Sequence, residues 1–263
     1  MRGELSEARA VLDAVIQRET VSRIEATVRR DVAKVFVAQG KAAVQALSAY
    51  RNEFREVFGD AEIERILAEV FGSTENQLER IIRAGIGVAI AAGFDATQPY
   101  AAQFGVSFDR QDPRAQWYLD RAAAARVSRI NETTRLALRR TIIDGFANNE
   151  SYSTIAKRIR EQFDGFAGAK PQQHIRDRAE LVAVTEIGEA FEESKLIGSR
   201  QMQANGLPME KRWITVGDDR VSDGCQRNQA QGWIRLADNF DSGHERPLRF
   251  PGCRCTHSAR VAL

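Results

Sequence analysis

The chain has 263 residues, with 38 Lys plus Arg against 36 Asp plus Glu and a formal net charge of +2. Hydrophobic residues make up 43% and charged residues 28%, enough apolar material for a packed core, which excludes an extended disordered chain. The near balance of charge argues against a dedicated nucleic-acid binder, which carries a basic excess or a concentrated basic stripe.

Residues 5–49 read as one long amphipathic helix or two in series. Leu5, Leu12, Val15, Ile24, Val28, Val35 and Val44 recur at near-helical spacing, and Gly40 marks a kink or a joint. Glu4, Glu7 and this period argue against a cleaved secretory signal, so synthesis in a reducing cytosol is expected. Residues 51–71 continue as helix, broken at Gly59-Asp60, and residues 75–92 are helical again. Gly85, Gly87 and Gly93 each weaken that last helix by up to ~1 kcal/mol and let a partner helix approach closely. The longest apolar run, residues 81–94, is interrupted by Arg83 and is too short to span a bilayer, so no membrane partner is expected.

Residues 95–115 lose the helical period and hold Pro99, Gly105 and Pro113, which places a domain boundary there. Pro113 is suited to the first position of the next helix, about 115–145, with Trp117, Leu119, Ala122, Val127, Ile130, Leu136, Leu138 and Ile142 as its apolar face. Ser151 or Ser153 then caps a helix with Ile155, Ile159 and Phe163 on one side and Gly165 at its end. Pro171 starts another, reaching about Ala204. Beyond Pro208, residues 211–216 and 232–236 alternate as short strands, residues 217–232 are polar and turn-rich, and residues 247–263 have room for a third strand. The expected fold is mainly α, long amphipathic helices followed by a small α+β C-terminal unit with a few short strands. Its divisions are a helical region 1–95, a linker 96–115, a helical part 116–207 and a β-containing unit 208–263.

All three cysteines lie in that last unit: Cys225, Cys253 and Cys255. On an extended segment Cys253 and Cys255 point the same way, so both sulfurs can reach one ion. Cys225 with His257 or His244 would complete a tetrahedral zinc shell. Buried free thiols, or a disulfide from Cys225 to the pair, stand as alternatives. Asp218, Asp219 and Asp223 cluster beside Arg220, with His244 downstream. Such a set could serve hydrolysis, but in a Gly-rich segment aspartates more often cap their own turns. No nucleophile elbow, phosphate-cradling loop or zinc-protease motif is present, so no catalytic residue is assigned.

Five pieces in order carry a resemblance: Arg178-Ala179-Glu180, Thr185-Glu186, Trp213, Asp218-Asp219-Arg220 with Cys225, and Cys253-Arg254-Cys255. Over residues 131–260 the chain resembles the phage Mu F-like minor head proteins. Val184, Ser222 and Phe250 stand where the family pattern often has Arg, Cys and His. The resemblance implies a structural, non-enzymatic virion protein used in head morphogenesis. It would be made in the bacterial host cytoplasm and be present in several copies at the portal vertex or head interior. Its partners would be the portal protein or the major capsid protein, with packaged DNA as a further contact. Residues 1–95 would serve docking. Other readings are a DNA-contacting accessory protein and a nuclease-like hydrolytic C-terminal domain. No cofactor is required, zinc being the one ion the residues could take. Packed thiols, or a Cys225 disulfide formed outside the cytosol, are expected, with Arg254 on the opposite face meeting a carboxylate such as Glu186.

Overall fold

The computed structural model describes residues 2–53, 59–72, 74–109, 111–148, 150–168 and 177–262. Along them run α1 (Arg2–Glu53), α2 (Asp60–Gly72), α3 (Glu75–Ala102), α4 (Pro113–Ala147), α5 (Tyr152–Gly168), α6 (Arg178–Ala204), β1 (Met209–Ile214), α7 (Asp223–Ala230), β2 (Trp233–Arg235) and β3 (Thr256–Val261). The chain is thus mainly helical with a small antiparallel sheet of order β2-β1-β3 at its C-terminal end. None of these helices is long and apolar enough to cross a membrane.

Packing divides the chain into two compact units that draw on alternating stretches of sequence. The first comprises Met1–Thr27, Ala84–Arg121 and Ala183–Leu263, and the second Val28–Arg83 and Ala122–Val182. The sequence divisions at 95, 115 and 207 follow changes in texture, whereas these units follow burial.

In the second unit α1 runs unbroken through Gly40, so no joint forms there. A Cβ at Gly40 would stand 2.6 Å from that of Phe163, and glycine instead admits the close approach of α5. Val35, Phe36, Ile66, Leu67, Leu78, Leu138, Ile142, Ile155, Ile159 and Phe163 fill its core. Ser151 caps α5, accepting from the Thr154 N–H at 3.2 Å. The helix passes Gly165 and reaches Gly168, because glycine weakens a helix without terminating it. Asp177 caps α6 by accepting the Glu180 N–H at 2.7 Å and also takes Arg29 Nε at 3.0 Å. The earlier start expected at Pro171 and the helix expected across 54–58 fall outside the described residues.

In the first unit the inner face of α1 is made by Ala10, Ala14 and Val21, while Leu12 and Val15, expected inside, are exposed. Small residues allow close packing on that side, so the larger ones face outward. α3 continues through Pro99 to Ala102, which corrects the expected break at 95. The proline lies three residues from the helix end, where losing its N–H costs one ladder bond. Gln98 then fixes the return of the chain, donating to the Val106 carbonyl and accepting the Phe108 N–H. Asp112 caps α4 through the Arg114 N–H at 2.8 Å, with Pro113 at the first helical position. On α4, Val127, Ile130, Leu138 and Ile142 are buried as expected, but Trp117 and Leu136 are exposed.

β1 alternates as its sequence requires. Met209, Lys211 and Trp213 turn inward, and the Glu210 side chain pairs across the sheet with Arg260 at 3.0 Å. Arg260 also lies 4.1 Å above the Trp233 ring. The polar stretch before β2, expected as turns alone, contains α7. Ser222 caps it by accepting the Cys225 N–H.

Candidate functional site

The C-terminal core is built around Trp213, which is fully buried and meets Phe240 edge-on at 5.1 Å. Leu248, Cys225, Cys253 and Cys255 pack with them. Cys225 comes from the first turn of α7, and the other two cysteines flank Arg254 just before β3. The three are free thiols, and their sulfurs all lie within 4.8 Å of one another. Cys225 Sγ and Cys253 Sγ are 3.9 Å apart.

The surroundings of the three sulfurs differ. Hydrogen bonds from the Cys253 and Cys255 thiols hold Cys225 far below its ordinary value against the effect of burial, and Ser222 and Arg249 add to this. Cys253 and Cys255 are pushed up, first because each shares a proton with Cys225 and then by burial. Arg249 lies over Gly224, where a Cβ would come within 2.7 Å of its guanidinium carbon. A side chain at 224 would make that cation shift from its place beside the sulfurs.

His257 does not join the cysteines. Its backbone N–H donates to Glu192 Oε2 at 3.0 Å, and its Nδ1 lies 2.5 Å from the same oxygen. An ionised carboxylate only accepts, so Nδ1 carries the proton. Glu192 also takes the Thr256 hydroxyl at 2.5 Å and Lys195 Nζ at 3.4 Å. Lys195 in turn donates to Thr256 Oγ1 at 2.8 Å and to the His257 carbonyl. All of these side chains are buried or nearly so. Burial alone would raise the Glu192 pKa, but Lys195 and His257 hold it down to about 2. Burial lowers Lys195 and His257 themselves. This network clamps β3 to α6. Sequence reasoning missed Glu192 and Lys195, since a Glu and a Lys three apart on a helix normally mark a solvated face.

The remaining residues singled out in the sequence serve several places. Thr185 accepts the Gly252 N–H at 3.0 Å, tying α6 to the turn before Cys253, where Gly252 has φ of 81°. Glu186 is buried on α6, and Glu192 on the same helix accepts from the C-terminal segment. Arg254 does meet a carboxylate, donating to Asp218 at 2.5 Å, where Glu186 was the example expected. Asp218 also accepts the Arg220 N–H at 3.2 Å. Asp219 projects outward, 3.7 Å from Arg220. Asp223 is the first residue of α7. His244 lies against the Ser242 carbonyl, 3.0 Å from Nδ1. Arg178 belongs to the second unit, where it donates to the Ile130 carbonyl at 3.1 Å and lies over the Phe36 ring. Glu180 is there too, at the start of α6.

The order of these pieces, from the cap of α6 to the cysteine pair, coincides with a known family. Residues 136–258 match the model of phage Mu protein F like protein. This region is similar to the phage Mu F-like family. No curated protein and no solved structure matches the chain. The Mu F-like region thus includes the Glu192 network, the Asp218–Arg254 pair and all three cysteines.

Proposed function

We propose that the chain is a structural component of a tailed-phage head, a minor head protein that acts with portal or major capsid subunits during head assembly. The observation that carries this reading is the match of residues 136–258 to the phage Mu F-like family. Two features support it. The groups that could have served hydrolysis are used to hold turns, Asp218 by Arg254 and the Arg220 N–H, and His244 beside Ser242. On α1, Val11, Leu12, Val15 and Ile16 are each more than half exposed, an apolar stripe of the kind that partner subunits cover.

Mass spectrometry of purified heads and of their DNA-free precursors tests the proposal. The chain is expected in both, at several copies per head. Co-purification with portal before packaging assigns docking to the portal, and co-purification with major capsid protein assigns it to the capsid wall. Absence from both kinds of particle overturns the proposal.

A further inference from the structure

The three buried cysteines have no part in the proposed docking role, and their geometry is more specific than a packed core requires. An ion placed centrally among sulfurs no more than 4.8 Å apart stands at most about 2.8 Å from each, against a zinc–thiolate bond of about 2.3 Å. A tetrahedral site with that bond length has sulfur–sulfur edges of about 3.8 Å. The Cys225–Cys253 separation is 3.9 Å. A disulfide between these two needs a sulfur–sulfur distance of about 2.05 Å and leaves the third sulfur unexplained.

Two further observations concern charge. Among the described residues Arg249 Nε is buried without an acceptor, and the guanidinium lies beside Cys225. A metal-bound thiolate gives this N–H an anionic acceptor. The backbone N–H groups of Arg249 and Cys255 lie against Cys253, where they can donate to its sulfur. Three thiolates around a divalent ion leave one net negative charge, which the adjacent guanidinium balances. Cys253 and Cys255 also line a small pocket together with Arg18, Gly188, Leu248 and Arg254.

We infer that Cys225, Cys253 and Cys255 form a zinc site of three thiolates, with Arg249 as its positioning residue and water in the fourth place. Each protonated thiol releases its proton to solvent when zinc binds. His257 is not counted as a ligand, since among the described residues the ligand atoms that lie within 4.8 Å of one another are the three cysteine sulfurs alone. The ion links α7 to the segment that leads into β3 and so staples the C-terminal core.

The test uses the reduced full chain, stripped with a chelator and titrated with zinc chloride. One zinc per chain is expected, with a melting temperature that rises on loading and falls again on chelation. Cobalt substitution is expected to give thiolate-to-metal charge transfer and the visible bands of a tetrahedral ion. Arg249→Met should weaken binding about tenfold to a hundredfold. Cys225→Ser, Cys253→Ser and Cys255→Ser should each abolish stoichiometric binding, while His244→Gln should not change it. If a serine variant fails to fold, alkylation of the wild type decides, with zinc expected to protect all three thiols. Failure of the reduced wild type to take up zinc, or unprotected thiols in its presence, overturns the assignment.

Discussion

Arg254, between the two cysteines, donates to Asp218, the first aspartate of the turn that leads into α7. The same carboxylate accepts the Arg220 N–H, and although burial pushes its pKa up, the Arg254 hydrogen bond holds it below the ordinary range. Asp218 thus joins two segments 36 residues apart in sequence.

Asp218→Asn removes the charge of this pair and should lower stability by ~1 kcal/mol, the scale of a partly exposed charged hydrogen bond. Asp219→Asn should leave stability within about 0.5 kcal/mol, because its side chain is 89% exposed. Denaturant midpoints of the two variants separate these outcomes. Equal losses would show that the turn, and not the Arg254 contact, sets the energy.

Gly93 and Gly87 lie on the same helix and should respond oppositely to alanine. A Cβ at 93 meets Ser194 Oγ at 1.8 Å and the Phe191 carbonyl oxygen at 2.7 Å, so Gly93→Ala should cost ~1–3 kcal/mol. At 87 nothing stands within 4 Å, and Gly87→Ala should stabilise by up to ~1 kcal/mol. Thermal melts of both variants check the sign as well as the size.

The Glu192–Lys195 pair is buried, so its partners are coupled. Glu192→Gln leaves Lys195 without its principal counter-charge and should cost ~3–5 kcal/mol. Adding Lys195→Met should recover part of that loss, giving a coupling of ~0.5–3 kcal/mol in a double-mutant cycle. Strictly additive losses would mean that Thr256 and the backbone, and not the pair, carry the clamp.

Asp112 supplies a pH test. The Arg114 hydrogen bond, opposed by burial and aided by Gln201, lowers its pKa to about 2 from 3.8. A depressed carboxylate contributes stability that is fully present above its ordinary value and is lost as pH falls from about 3.8 to about 2. The wild type should lose more stability across that window than Asp112→Asn, measured by urea midpoints. Gln201 also accepts the Asp109 N–H at 3.0 Å, so limited proteolysis should favour the exposed 103–105 segment over residues 106–112.

The long helices and the three strands were legible because period and alternation are local signals, as were the Ser151 cap and the helix start at Pro113. α7 was not, since eight mostly polar residues carry too little apolar pattern to announce a helix. The confinement of the cysteines to one unit was readable, but their convergence depends on α7 meeting the segment before β3. Glu192 and Lys195 look like surface residues until β3 covers them. The partner of Arg254 was equally hidden, because several carboxylates were within sequence reach and only the path of the turn selects Asp218.

The alternation of the two compact units along the chain also orders events during synthesis. Every residue of the second unit has been synthesised once residue 182 is made. The first unit must wait for β3, which supplies both the outer pairing of β1 and the Thr256 and His257 contacts to Glu192. Ala10 and Ala14 of α1 therefore remain without their packing partners Ile214 and Trp233 until the C-terminal stretch is made. The nascent chain is thus most exposed to wrong association along α1, and the core of the first unit closes only after β3 is available to pair.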